Sequence, residues 1–488
     1  MPTPDIRVTP CNDSEINPDG EYVLYWMIAH RRLRHTFALE RAAERAAALD
    51  LPLVIFEPLR VGYRWASDRL HRFVLDGMGE HAAALADTTA TYYPYVEPEA
   101  GAGQGLLAAL AARAALVVTD DWPCFFIPRM VAAAASQVDV LVEMVDANGV
   151  LPLRAADRVY TTAYSFRRGL HKMLPAHLAD TPMAHPLKLL PGRELADDAL
   201  DDVLARWPRA SPELLEQGNT DALAALPIDH SVPAVAETPG GWTAARARLD
   251  AFIADALAGY KDGRNDPSDD GASNLSPYLH FGHIGAHEVF AEVMATCGWT
   301  PDDVADKATG KREGWWNASE AAESFIDELV TWREIGFNLT HHTDDYDQFD
   351  SLPDWAKTTI AEHADDEREH VYTLEQFEDA ETHDPLWNAA QTQLVRTGEM
   401  HNYLRMLWGK KIIEWTAHPS DALDVMVELN NKYALDGRDP NSYSGIFWCL
   451  GRYDRGWTER PIMGKLRYMT SASTRRKYKV DGYIETYS

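Results

Sequence analysis

Between residues 21 and 145, short apolar runs alternate with helical patterns, and few folds accept that alternation. Residues 21–27 (EYVLYWM) are apolar almost throughout, as a strand covered on both faces must be. The runs at 51–56, 115–119 and 138–145 read the same way, with helical patterns at 34–49, 68–85 and 106–114 between them. Strands separated by helices imply a parallel sheet with a helical layer on each face. Such α/β domains bind ligands at the strand C-termini, but no GxGxxG accompanies this one. The Gly-rich GAGQG at 101–105 reads as a turn.

Beyond residue 165 the pattern changes. Nine of the 28 prolines fall between Pro175 and Pro239, which marks a long connection with a few short helices. From Trp242 onward the chain reads as helical, and that stretch holds 11 of the 15 tryptophans. The expected organisation is an α/β domain with a parallel, Rossmann-like sheet over 1–164, a linker over 165–241 and an all-α domain over 242–488.

The net charge of −29 is unusual for a chain that meets nucleic acid, because phosphate affinity needs local Lys and Arg. Residues 401–488, however, carry 14 Lys and Arg against 10 Asp and Glu, a local net of +4. A basic end on an acidic body can steer a polyanion, although a solvated acidic surface explains the same composition. Four scattered cysteines without a CxxC fit a reducing compartment, and with no HExxH present no metal is expected. Neither a signal peptide nor an apolar run of membrane-spanning length is legible, so the chain is read as soluble and cytoplasmic.

Four passages carry candidate chemistry. Arg264-Asn265-Asp266-Pro267 precedes Ser273-Asn274-Leu275-Ser276-Pro277, where Ser and Asn ahead of an apolar helix can cap it and leave backbone N–H groups for a phosphate. Glu328 and Trp332, four residues apart, put a carboxyl and an aromatic plate on one helical face, a pairing that suits a nucleobase. Trp408 and Trp415 lie two helical turns apart, a rise of roughly 10 Å, and Trp387 on a neighbouring segment offers a third ring for electron hopping. Residues 429–441 (LNNKYALDGRDPN) carry turn signals and more polar groups than a plain helix connection needs. Taken singly, each passage has an ordinary explanation: a cap, an amphipathic helix, an aromatic core or a solvated loop.

Together the four passages resemble the FAD-binding helical domain of the photolyase/cryptochrome family, and within it the class II cyclobutane-dimer photolyases. The ordered motifs SNLSPYLHFG, THDPLWNAAQ, LNNKYALDGRDPNSY and ERPIMGKLRYM carry the resemblance. It is close over 260–487 and looser over the first domain.

The resemblance implies a light-driven enzyme that repairs cyclobutane pyrimidine dimers in UV-damaged DNA, by electron transfer from reduced FAD to a flipped-out dimer. It implies that Tyr260, Ser273, Asn274, Leu275 and Ser276 hold the FAD phosphates, that Asp436 approaches the ribose or adenine, and that Arg405 borders the isoalloxazine. Asn430 is the implied partner of flavin N5, with Asn431 the near alternative. Glu328 is implied at the dimer carbonyls, Trp332 and Trp448 as aromatic walls, and Met406 beneath the lesion. Trp408, Trp387 and Trp415 match an electron path, and Arg264, Asn265, Lys465, Arg467, Arg475 and Arg476 are implied on the DNA side. An antenna chromophore such as a deazaflavin belongs to the family pattern, and the chain is read as a monomer with no membrane partner.

Repair enzymes for (6-4) photoproducts resemble this chain around IHHLARH, with two pocket histidines. Asn402 and Met406 stand at those positions here, which favours cyclobutane dimers. Three departures from the class II pattern stand out. Residues 28–34 read IAHRRLR where many members have Asp-Gln-Arg, and residues 163–169 read AYSFRRG in place of a TFRPKL-like run. The stretch 448–454 is one residue short, which is expected to displace Asp454 from an implied pairing with Arg264. A cryptochrome-like light sensor is the rival reading, and the retained pocket residues favour repair. A flavoprotein of unrelated redox chemistry would not need the basic strip between Arg460 and Lys479.

Overall fold

Every residue of Tyr22–Trp26 is buried, and side-chain alternation gives each one a core to enter. Tyr22, Leu24 and Trp26 join one apolar cluster, while Val23 and Tyr25 join the other. A strand so placed has a covered layer on both sides, which is why its sequence is apolar without a period.

The computed structural model describes residues 2–269 and 271–488. Two compact units make up the fold. The first comprises Met1–Asp157, Met173–Leu249 and Leu275–Thr296; the second comprises Arg158–Lys172, Asp250–Asn274 and Cys297–Ser488.

The first unit is built on six strands: β1 (Val8–Pro10), β2 (Tyr22–Trp26), β3 (Leu53–Leu59), β4 (Thr91–Val96), β5 (Ala114–Asp120) and β6 (Val142–Val145). Their order is β1-β6-β5-β2-β3-β4, parallel except for β1 on β6. Helices α1 (Phe37–Leu49), α2 (Asp68–Leu85), α3 (Leu106–Ala111) and α4 (Ile127–Ala135) alternate with the strands, as the sequence pattern requires. Strand β4 escapes that pattern because Pro94 interrupts it, and a proline is tolerated there since β4 is the sheet edge. Expected as a strand over 138–145, β6 begins only at Val142.

Of residues 165–241, read from the sequence as a connection, 173–241 fold into the first unit and 165–172 into the second. Leu200, Val203 and Trp207 join its core, and Trp207 donates its indole N–H to the Ala102 carbonyl at 2.9 Å. The GAGQG loop is a turn whose donors face inward: Glu97 accepts from Gly101 N at 2.9 Å and Gly103 N at 3.3 Å. At the end of β5, Asp120 accepts from the N–H groups of Ile28, Ala29 and His30 at 2.7–2.9 Å. The IAHRRLR segment is therefore wrapped around a buried carboxylate of its own unit.

The second unit is helical. Helix α5 (Glu320–Ile326) runs through a π-helical stretch, Asp327–Trp332, into α6 (Arg333–His342). Helices α7 (Pro385–Thr397), α8 (Asn402–Trp415), α9 (Asp421–Tyr433), α10 (Pro440–Cys449) and α11 (Ser471–Lys477) follow. Two Asp-Pro pairs begin helices here. Asp384 accepts from Leu386 N and Trp387 N, and Asp439 accepts from Asn441 N at 2.7 Å, each with Pro in the first helical turn. Close packing needs glycine at two crossings. A Cβ on Gly336 of α6 would meet the Pro440 carbonyl at 2.8 Å, and one on Gly409 of α8 would meet Cys449 Sγ at 2.7 Å.

Candidate flavin and lesion site of the helical unit

On the π-helical stretch Asp327, Leu329, Val330 and Thr331 are buried, while Glu328 and Trp332 are only half-buried. These two are the partly exposed residues of the stretch, and π segments recur at functional sites. Helix α6 packs on α10, and α8 packs on α9 and α10. Through that packing Trp448 of α10 and Met406 of α8, both also half-buried, are carried on helices of the same bundle.

Glu328 is ion-paired with Arg264, whose guanidinium also lies 5.8 Å from the centre of the Tyr260 ring. Burial, the largest influence, pushes the Glu328 carboxyl above its usual range, Arg264 pulls it down and Asp327 pushes it up again. The net direction is upward, so this carboxyl holds a proton more readily than a free glutamate. Burial, with Glu328 adding to it, also pushes the Tyr260 phenol up. Tyr260, Arg264 and Glu328 thus form one cluster. The Arg264–Asp454 pairing of the family pattern, from which the short stretch was expected to displace Asp454, does not form: Arg264 is held by Glu328, while Asp454 accepts from the indole of Trp457 at 3.2 Å. Asp454 is thus engaged three residues along its own chain.

Asn430 and Asn431, adjacent on α9, are separated by their hydrogen bonds. Asn431 donates to the Tyr443 hydroxyl at 3.2 Å and accepts from Arg438 N at 2.9 Å. Asn430 donates to Ser442 Oγ at 2.7 Å and to Asn431 Oδ1 at 3.3 Å, and its own Oδ1 meets no donor among the described residues. An acceptor left open beside a satisfied neighbour fits a ligand N–H such as that of reduced flavin N5. Arg405 and Asp436, implied at opposite parts of FAD, are paired at 3.1 Å, so one holds the other. Gly437 allows the turn to close, since a Cβ there would meet the Asn430 carbonyl at 2.8 Å.

The phosphate passage differs from its expected form. The helix begins at Ser276 with Leu275 as its N-cap and no side-chain cap, because Asn274 takes a left-handed conformation (φ 51°) and turns the chain first. Ser273 and Asn274 lie in the second unit with Tyr260, whereas Leu275 and Ser276 lie in the first.

The three tryptophans are all buried. Trp387 and Trp415 have ring centres 6.1 Å apart, and Trp408 donates its indole N–H to Gln391 at 2.9 Å. Of the basic residues, Lys465, Arg467, Arg475 and Arg476 are exposed, while Arg264 and Asn265 are half-buried. Arg467 lies 5.4 Å from the Trp448 ring and 5.2 Å from that of Trp457. Arg475 pairs with Asp481 at 3.1 Å, and Lys477 of the same helix sits 5.0 Å from Tyr403, three residues before Met406. Sequence reasoning missed Lys410, Ser442 and Gln391, which touch the expected residues. Helical spacing from Met406 to Lys410 was the one signal that pointed to any of them.

Over nearly its full length the chain is similar to curated deoxyribodipyrimidine photo-lyases. It is 34% identical over 485 residues to that of Methanothermobacter thermautotrophicus, covering 98% of this chain and 97% of the relative. Identity is 35% over 483 residues with that of Oryza sativa subsp. japonica (95% and 87% covered) and 32% over 476 residues with that of Potorous tridactylus (96% and 81%). No family model matches the sequence. In fold, the chain superposes on a bacterial class III photolyase from Agrobacterium tumefaciens with a TM-score of 0.66 at 17% identity, covering 97% of this chain and 87% of that one. A Synechocystis cryptochrome gives 0.66 at 16% identity, with 96% and 88% covered. By its full-length similarity the chain belongs to the deoxyribodipyrimidine photo-lyase family.

Proposed function

We propose that this chain repairs cyclobutane pyrimidine dimers in UV-damaged DNA with light, as a class II enzyme, and that the helical unit carries the chemistry. The observation that carries the reading is the set of half-buried side chains Glu328, Trp332, Met406 and Trp448 on packed helices of a Trp-rich bundle, with Arg264 held at Glu328. Full-length similarity to deoxyribodipyrimidine photo-lyases supports it. Asn402 and Met406, at positions where the (6-4) enzymes have histidines, support the cyclobutane substrate.

Bound and reduced, FAD would supply the light-driven electron transfer that opens the dimer. The protein's share is positioning and electrostatics. A dimer must leave the base stack to be reached, and the aromatic faces of Trp332 and Trp448 offer the stacking it loses. Glu328, whose carboxyl burial pushes upward, stands at the dimer carbonyls where negative charge develops. Asn430 Oδ1 accepts at the flavin side, and the Arg405–Asp436 pair borders it. Lys465, Arg467, Arg475 and Arg476 supply positive charge for the phosphates. Among the described residues no helix is long and apolar enough to cross a membrane.

The test is illumination of the reduced holoprotein with a duplex carrying one thymine dimer, followed by measurement of restored thymines. Light-dependent restoration is expected, and unchanged dimers overturn the reading in favour of a light sensor. The action spectrum of the same reaction reads out an antenna such as a deazaflavin, as a maximum displaced from the flavin's own absorption.

A further inference from the structure

Helix α8 carries a lysine where a core residue is expected. Lys410 lies one turn after Met406, and only 1% of it is exposed. Its ammonium makes two contacts. It donates to the Cys449 carbonyl, at the C-terminal end of α10, at 2.6 Å, and it sits 5.3 Å from the centre of the Trp448 ring. The carbonyls of Phe447 and Trp448 are already taken by backbone N–H groups of Arg452 and Gly451, so Lys410 closes the end that the loop leaves open. Arg467 stands 5.4 Å from the same indole, which is therefore within reach of two cations.

A buried ammonium is costly, and closing a helix end does not require one. Burial pushes Lys410 down to about 8, with Arg467 adding to the push and Cys449 and Asp454 opposing it. Of these, the Cys449 thiol is itself pushed up to about 11 by burial, so it is neutral, and gives no such opposition, through the range in which Lys410 titrates.

We propose that Lys410 is a positioning residue that fixes the plane of Trp448 against the flipped dimer, by holding both the ring and the end of its helix. The proposal rests on the reading of Trp448 as a wall of the dimer pocket. With its charge, Lys410 holds the indole by a cation–π contact in a water-poor setting, where that contact is strongest. Without the charge, Trp448 keeps its helix but loses its fixed plane. Recognition of the dimer, rather than affinity for DNA at large, is what suffers.

The test measures the ratio of affinities for dimer-containing and undamaged duplex on the FAD-loaded protein between pH 7 and 9.5, because the ratio cancels the phosphate contribution. In the parent the ratio is expected to fall about tenfold as the ammonium is lost, the weight of one desolvated cation–π contact. Lys410→Met is expected to show the lowered ratio already at pH 7 and no change with pH, with FAD content retained. Trp448→Ala lowers the ratio at every pH. A parent ratio that stays flat across the range, with Trp448→Ala still lowering it, overturns the role of Lys410 alone. An unchanged ratio in Trp448→Ala overturns the wall reading and the proposal with it. Should Lys410→Met fail to fold, the parent profile decides by itself.

Discussion

Trp387 donates its indole N–H to the backbone carbonyl of Trp408 at 3.1 Å, and Trp408 returns the link through its own indole to Gln391, one turn along the helix that carries Trp387. The two helices are thus cross-tied at the tryptophans themselves. Trp387 stands between Trp408, which it reaches through the carbonyl, and Trp415, whose ring it meets at 6.1 Å. Trp408→Phe is expected to slow photoreduction of the oxidised flavin while sparing repair by enzyme already reduced. Transient absorption after a flash reads the first and restored thymines the second. Equal photoreduction in mutant and parent removes Trp408 from the path. Trp387→Phe should also lower stability by at least about 1 kcal/mol, since the hydrogen bond from its buried indole is lost.

Glu328 and Arg264 make opposite demands on one proton. Glu328→Ala is expected to lower the repair yield with FAD still bound, and an unchanged yield argues against its place at the dimer. In Arg264→Ala the larger of the two attractions that pull the Glu328 carboxyl down is gone, leaving the weaker pull of Arg312 against burial and Asp327, both of which push it up. The carboxyl should then keep its proton to higher pH than in the parent. The carboxylic C=O infrared band, assigned by its loss in Glu328→Gln, follows this directly.

Asn431 and Asn430 should part company on substitution. Asn431→Ala removes a donor to Tyr443 and the acceptor for Arg438 N, and should cost about 2 kcal/mol, readable in denaturant unfolding. Asn430→Ala breaks only the bond to Ser442 and a long one to Asn431, so the fold should change little. Its effect is expected on the flavin instead, as a faster return of the reduced state to the oxidised one in air. The reverse ranking assigns the flavin contact to Asn431.

In the first unit Glu57 is fully buried between Arg31 at 2.9 Å and His81 at 2.8 Å, with the Tyr92 hydroxyl donating at 2.6 Å. Burial alone would raise its pKa, but the charge and hydrogen bond of His81, with Arg31, hold it at about 2, below the ordinary 4.5. A carboxylate lowered on folding adds stability above its unfolded pKa and gives it up as pH falls through the folded one. That contribution is about 3 kcal/mol, present above pH 4.5 and lost toward pH 2. Glu57→Gln should lose a similar amount at neutral pH and flatten the acid limb of the unfolding curve.

The sequence by itself determined what local rules govern. Runs without a period specified buried parallel strands at β2, β3 and β5, and the Ala-rich stretch specified α1. The ordered motifs from Tyr260 onward specified the family, because their residues are fixed by what they hold rather than by propensity. Tertiary structure decided what depends on neighbours distant in the chain. Pro94 hid β4 until β3 lay beside it, and residues 173–241 read as a linker until Trp207 found the core of the first unit. Asn430 and Asn431 are equal as letters and differ only once Tyr443 and Arg438 arrive to occupy one of them. Arg264 could have met Asp454 or Glu328, and the fold brings it to Glu328 while Asp454 meets Trp457. A lysine at position 410 is unremarkable on a helix until α10 brings Trp448 and a helix end to its ammonium. Hydrogen bonds and charge pairs have a reach of a few ångströms, so which of them form is written in the packing and not in the order of the residues.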